Sequence, residues 1–330
     1  MGDSPGRRGA PSLVTMADIP WEEPRNFLGL GERWSALAAS AVAILPVPYE
    51  ATTSYMGGTR QGPQAILSAS LHVELYDHEL DDEPYRVGIH TYPAIELSAG
   101  GPEQALAQLR GSYSEVSERG HFVILLGGEH SITQVPVIHW ADRLNDDLSI
   151  LQFDAHADLR DEFHGTRWSH ACVMRRVLDR VQPVAVGVRA IDSGERGVID
   201  ELGLTVVYGE ELGREGWIDR AIDALKENVY VSFDVDFFDP AYVPATGTPE
   251  PGGGTWAQAL ALLRRVFAER HVVAADVVEL APIPGLVASD FLAAKLVYKM
   301  VGYWQKGSTN VNSAEGGSAR PPPFRIEEHG

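Results

Sequence analysis

Cysteine is almost absent from this chain: one residue, Cys172, in 330. A single thiol forms no intramolecular disulfide and fits a reducing compartment. It reads as packing rather than as a nucleophile. Positive charge is scarce as well. Against 46 Asp and Glu stand 27 Lys and Arg, a formal net charge of −19, which argues against nucleic acid or an anionic membrane surface as partner and favours small cationic ligands through long-range attraction. The same charge also serves plain solubility. Long hydrophobic runs are missing too. The opening M-G-D-S-P-G-R-R-G-A-P-S has arginines but no apolar block behind them, so neither a signal peptide nor a membrane span is expected, and the cytoplasm is the expected location.

What is present supports a large core, since 44% of the residues are apolar. The length exceeds the size at which chains usually split, yet one large α/β domain is compatible with it. Residues 1–20 and 306–330 are rich in Gly, Pro, Ser and other polar residues and read as disordered tails around a single domain at 21–305. Short apolar runs at 41–46, 86–90, 121–126, 148–153, 184–188, 204–208, 229–233 and 272–278 read as buried strands. Helical spacing lies between most of them, at Glu103 to Arg119, His170 to Arg180, Trp217 to Glu227 and Thr255 to Arg270. Alternating strands and helices, with strands apolar throughout, predict an α/β fold: a three-layer αβα sandwich around a mostly parallel sheet of about eight strands. In such sheets ligands gather beyond the carboxyl ends of the strands.

The chemistry-bearing residues sit there. The fourth run passes into D-A-H-A-D, so that Asp154, His156 and Asp158 alternate and, in an extended chain, point one way. Two carboxylates and an imidazole on one spot need a cation between them. The third run ends in G-G-E-H-S-I-T, where two glycines allow a tight turn that delivers His130, and Ser131 or Thr133 is placed to cap the next helix. A lone histidine after a strand is ordinarily structural. The seventh run ends in S-F-D-V-D, repeating the alternation with Asp234 and Asp236. D-x-D alone is weak. Three strand ends together supply six N and O donors, enough for two ions with shared carboxylates, and a hard donor set without thiolate suits Mn²⁺ better than a structural zinc.

These segments resemble the ureohydrolase family, the arginases and agmatinases. The likeness rests on V-P-Y-E-A-T-T-S-Y (47–55), G-T-R-Q-G-P (58–63), G-G-E-H-S (127–131), D-A-H-A-D (154–158), S-F-D-V-D-F-F-D-P-A-Y-V-P-A-T-G-T-P (232–249) and D-V-V-E-L-A-P (276–282), in the family's order. The resemblance implies an arginase-like fold with two Mn²⁺ per subunit. One ion would be held by His130, Asp154, Asp158 and Asp234, the other by Asp154, His156, Asp234 and Asp236, with a bridging hydroxide that Asp158 orients. It implies that Glu279 binds the guanidinium in fork geometry and that His170 passes a proton to the departing amine. His164, six residues earlier, competes for that role. It also implies a homo-oligomer, a trimer or hexamer.

Substrate choice is less firmly written. The segment after D-x-H-x-D, L-R-D-E-F-H-G-T-R-W-S-H-A, lacks the polar arginase pattern and is more similar to bacterial agmatinases. Arg160, Asp161, Glu162 and Trp168 are placed to shape the pocket mouth, and Asp192 lies where arginases have an aspartate near the substrate amine. Arg160 or Arg167 could instead receive a carboxylate, as a guanidinobutyrate hydrolase requires. The expectation is a hydrolase of linear amidines that splits agmatine into putrescine and urea. The alternatives are another guanidino-acid hydrolase and a metal-binding scaffold without activity. The block Pro244 to Pro251 reads as a rigid loop at the mouth, and Gly252 to Gly254 lacks the lysine of a phosphate loop. His72, His78, His90, His121, His139, His271 and His329 lie outside the matched motifs and read as structural or solvated.

Overall fold

Runs such as F-V-I-L-L and V-Y-V-S-F are apolar at every position, so both faces of the strands they form must be covered. In the computed structural model, which describes residues 24–314, they become the inner strands of one sheet. The strands are β1 (Val42–Val47), β2 (Ile89–Thr91), β3 (Phe122–Gly127), β4 (Ser149–Phe153), β5 (Pro183–Val188), β6 (Val206–Tyr208), β7 (Asn228–Asp234) and β8 (His271–Val278). Their order is β2-β1-β3-β8-β7-β4-β5-β6, and every neighbouring pair is parallel.

Nine helices are found among the described residues: α1 (Glu32–Ser35), α2 (Gly62–Ser70), α3 (Pro102–Ser117), α4 (Gln134–Arg143), α5 (Val173–Val177), α6 (Ser193–Leu202), α7 (Trp217–Asp223), α8 (Trp256–Glu269) and α9 (Ala288–Ala314). Alternate strand residues face opposite ways and divide the core in two. Val42, Ile44, Ile124, Leu126, Leu151 and Phe153 pack with α2, α7, α8 and α9. Ala43, Leu45, Val123, Leu125 and Ile150 pack with α3, α4 and α5. Each fully buried Leu, Ile or Phe contributes about 1.5–3 kcal/mol relative to exposure, and both layers are built of such residues.

Local differences from the sequence reading have local causes. The second strand is shorter and later than its apolar run, because Pro84 opens a 3-10 turn over Pro84–Val87 and Gly88 leaves it at φ 79°. The stretch from His170 divides into a 3-10 turn, His170–Cys172, and the short α5. The C-terminal tail was expected to start at 306, but α9 runs on to Ala314. Gly307 lies so close to α8 that a Cβ there would sit 2.2 Å from the Phe267 carbonyl oxygen, and Lys306 reaches Asp82 at 2.8 Å. The tail expected at 1–20 and the remainder of the C-terminal one lie outside the described residues. None of the described helices is long and apolar enough to cross a membrane.

The chain leaves β3 and comes back as β4 three places along the sheet, with β8 and β7 between them. The carboxyl ends of β3, β8, β7 and β4 are thus adjacent; the six expected metal ligands lie at the ends of β3, β7 and β4, and Glu279 follows β8.

Candidate metal centre

His130 follows β3 through Gly127 and Gly128, which are needed for close approach rather than for a reversed backbone. A Cβ on Gly128 would lie 1.8 Å from the Tyr49 carbonyl oxygen, and one on Gly127 would lie 2.6 Å from Val278 Cγ1. Neither hydroxyl expected to cap α4 does so. Ser131 Oγ donates to Glu129 at 2.7 Å, and Thr133 Oγ1 donates to Asp276 at 2.7 Å.

The carboxylates converge by a different route from simple strand alternation. β4 stops at Phe153, and Asp154 folds the chain around itself by accepting the His156 N–H at 2.6 Å. Asp158 then takes a left-handed φ of 53°. As the last residue of β7, Asp234 accepts the Asp236 N–H at 2.8 Å and caps the 3-10 turn that follows. Short polar side chains that bind the backbone two residues on favour this local turn over a continuing strand. Asp236 in turn accepts the Ala155 N–H at 2.9 Å and ties the two turns together.

All six expected donors come together. His130 Nδ1 lies 3.1 Å from Asp154, 3.0 Å from Asp158 and 3.4 Å from Asp234. His156 Nδ1 lies 3.0 Å from Asp236 and 3.6 Å from Asp154. Two ligand groups result, His130–Asp154–Asp234 and Asp154–His156–Asp236, sharing Asp154. Asp234 belongs to the first group.

The state of His130 shows what this cluster requires. Ser232 Oγ donates to Asp276 Oδ1 at 2.9 Å, so its oxygen receives from His130 Nε2 at 2.8 Å. That places a proton on Nε2 and turns Nδ1 toward three carboxylates. Burial opposes charge on His130, yet Asp154, Asp158 and Asp234 raise its pKa well above the usual histidine range, so a proton or a metal cation is needed between Nδ1 and the three carboxylates. The hard N/O donor set fits a pair of divalent ions.

Electrostatics agree. With protein atoms alone, burial and then the Asp154 charge push the Asp158 carboxyl up to about 7. Burial, with Asp236 and Asp154, likewise raises Asp234 well above the carboxylate range. Burial opposes charge on His156, yet Asp236 and Asp154 raise it to about 12. Such shifts mark an excess of buried negative charge, which bound cations would offset.

Beside the cluster lies a cavity of about 320 Å³ whose lining includes His156, Asp158, Arg160, Phe163, His170, Glu195, Asp234, Asp236, Glu250 and Glu279. Glu279 follows β8 at φ 65° and accepts the His130 N–H at 2.6 Å. Burial, then the Glu129 charge, drives its pKa well up. His170 Nδ1 is 3.8 Å from Glu279 Oε1, and the backbone N–H of His170 donates to Thr52 Oγ1 at 3.0 Å. Burial lowers its pKa. His164 is exposed and stacks on Phe163, outside the lining.

Two residues expected to touch substrate are placed elsewhere. Trp168 packs on the core layer of α3–α5, and Asp192 caps α6 by accepting the Glu195 N–H at 2.9 Å; neither is among the lining residues. The helix needs that cap, and it turns the Asp192 carboxylate onto Arg160 at 2.7 Å. Arg160 does line the cavity. Arg167 lies 3.8 Å from Asp161 and is outside the lining. The loop from 244 to 251 contributes Thr248 and Glu250 to it.

Supporting residues went unassigned in the sequence, although the motifs contain all of those named below except Arg189. Buried Glu129, inside G-G-E-H-S, accepts Ala51 N at 2.7 Å, Thr52 N at 2.6 Å and Thr52 Oγ1 at 2.7 Å, and so fixes the loop that brings Ser54 to the cavity. Ser232 and Asp276 stand at the starts of two quoted motifs. Arg189 binds the carbonyls of Gly187, Asp236 and Glu250 at 2.9, 2.7 and 2.8 Å, joining the β5, β7 and mouth loops.

A family model described as the arginase family matches residues 40–302. The chain is 39% identical over 289 residues to an N(1)-aminopropylagmatine ureohydrolase of Synechocystis sp., covering 85% of this chain and 94% of that protein. It is 33% identical over 262 residues to an agmatinase of Pyrococcus horikoshii, covering 78% and 90%. The solved agmatine ureohydrolase of Thermoplasma volcanium matches with a TM-score of 0.75 at 29% identity, over 84% of this chain and 94% of that one.

Proposed function

Because the chain belongs to the arginase family, and is therefore a hydrolase of the C–N bond of a guanidino compound, we propose that its substrate is agmatine and its products putrescine and urea. The observation that carries this reading is the convergence of six N and O donors beside Glu279 and His170 in one acid-lined cavity.

We assign one Mn²⁺ to His130, Asp154, Asp158 and Asp234, and the other to Asp154, His156, Asp234 and Asp236. When bound, the two cations supply a water nucleophile at neutral pH by lowering its pKa. Guanidinium carbon is a poor electrophile, so its placement matters as much as the nucleophile. Glu279 offers a carboxylate to two guanidinium N–H groups, and the His130 N–H on Oε1 holds it in that orientation. A guanidinium counter-charge stabilises the ionised form that burial disfavours. His170, kept neutral by burial, stands within reach of the same carboxylate; as a neutral base it takes up the proton that the attacking water gives up and passes that proton to the departing amine.

Beyond the reacting end, Glu195 and Glu250 line the cavity against one cation, Arg160. Such a wall suits an ammonium tail better than a carboxylate. A second reading, N(1)-aminopropylagmatine, is favoured by the 39% identical relative of that name. Urea release from the Mn²⁺-loaded protein with agmatine, N(1)-aminopropylagmatine, arginine and 4-guanidinobutyrate separates these. Agmatine is expected to give the highest kcat/KM. A higher value for the aminopropyl compound moves the assignment to the second reading, and urea from none of the four overturns both.

A further inference from the structure

A cavity suited to a cationic ligand nevertheless has an arginine in its wall. Arg160 follows directly on the D-A-H-A-D-L segment, its N–H held by the Ala171 carbonyl oxygen at 3.2 Å and its guanidinium 4.9 Å over the Phe163 ring. Nη1 meets Asp192 Oδ2 at 2.7 Å, and Nε lies 3.8 Å from Glu195. Glu195 is a weak partner, because its two oxygens already accept the Leu159 and Asp192 N–H groups at 3.0 and 2.9 Å. Asp192 is therefore the group that cancels the Arg160 charge, and it does so from outside the cavity lining.

We propose that Asp192 determines specificity by acting through Arg160: the pair keeps the cavity closed to guanidino compounds that end in a carboxylate and open to those that end in an amine. This rests on the reading of the cavity as a guanidino site. Asp192 engages Nη1 alone, but its charge cancels that of the guanidinium, so a substrate carboxylate gains little by pairing with Arg160, whereas a released Arg160 presents an uncompensated fork at the mouth. The capping role of Asp192 makes the change separable from folding. Asn keeps the oxygen that accepts the Glu195 N–H while removing the charge that faces Arg160.

The test compares full-length wild type, Asp192→Asn, Arg160→Gln and the double variant, each loaded with Mn²⁺. The readouts are kcat/KM for agmatine and 4-guanidinobutyrate, and the Kd of 4-guanidinobutyrate by calorimetry on the metal-free proteins. Asp192→Asn is expected to shift the kcat/KM ratio at least about tenfold toward 4-guanidinobutyrate and to tighten its Kd. The double variant is expected to lose that gain, and Arg160→Gln alone to shift the ratio the opposite way. Equal loss on both substrates with unchanged Kd overturns the proposal, and so does a gain that survives removal of Arg160. Should wild type release urea from neither compound, the agmatine reading fails, while the Kd series still decides the role of Asp192.

Discussion

His130 Nε2 lies 2.8 Å from Ser232 Oγ, and the Ser232 proton is already committed to Asp276. A serine hydroxyl thereby sets which nitrogen of a distant histidine faces the metal centre.

Removing that hydroxyl should be felt at the ions. Ser232→Ala leaves a buried N–H without an acceptor and frees the ring to change tautomer, so metal affinity is expected to fall about 10- to 100-fold. The folded state should lose about 1–3 kcal/mol. Metal titration and urea-induced unfolding of the same variant check the two effects; unchanged affinity would show that the hydroxyl does not set the tautomer.

Glu279 is expected to act on substrate rather than on metal. Glu279→Gln retains an oxygen for the His130 N–H but loses the charge that pairs with guanidinium. Metal content should stay at the wild-type value while kcat/KM falls at least about tenfold, with most of the loss in KM if the pairing is equal in ground and transition states. Loss of metal would reassign the residue.

A second prediction about stability concerns the far side of the sheet. Buried Lys299 on α9 meets Asp77 at 2.7 Å and Glu79 at 2.8 Å, pinning the last helix to the 77–79 turn. Lys299→Met leaves Asp77 buried without its counter-charge, at a cost of about 3–5 kcal/mol. Denaturant unfolding should show the loss, and adding Asp77→Asn should recover part of it.

Acid sensitivity should set in near pH 6.5. Burial lowers the pKa of His121 and of His139 below 6.5 in the folded protein. The native state therefore binds fewer protons than the unfolded chain below that pH, and stability present above 6.5 is lost as pH falls through it. His121→Gln with His139→Gln should flatten the pH dependence of the unfolding midpoint between about 6.5 and 5. An unchanged slope would place the acid sensitivity elsewhere.

The fold was legible because all the strands except β2 fall on apolar runs with Gly, Pro or polar breaks, and a parallel sheet buries both faces of such runs. The donors were legible because they cluster within a few residues of the ends of three apolar runs. What sequence spacing could not convey was how they meet. Asp154 and Asp234 turn the backbone around their own carboxylates, and Asp158 and Glu279 adopt positive φ, none of which strand alternation encodes. Asp192 shows the limit most clearly. Its position favoured a substrate contact, but its carboxylate is spent on a helix cap and on Arg160, two partnerships fixed by tertiary geometry. Glu129, Ser232 and Arg189 were missed because their partners lie far off in sequence or are backbone atoms, even though two of the three stand inside the recognised motifs.

The central claim is that two cations share the carboxylates of Asp154 and Asp234. Anomalous diffraction at the manganese edge from crystals grown with Mn²⁺, for wild type and Asp234→Asn, tests it most directly. Two peaks among His130, Asp154, His156, Asp158, Asp234 and Asp236 in wild type, both weakened or lost in Asp234→Asn together with urea release, are the predicted result. One peak, none, or two peaks untouched by the substitution would contradict it.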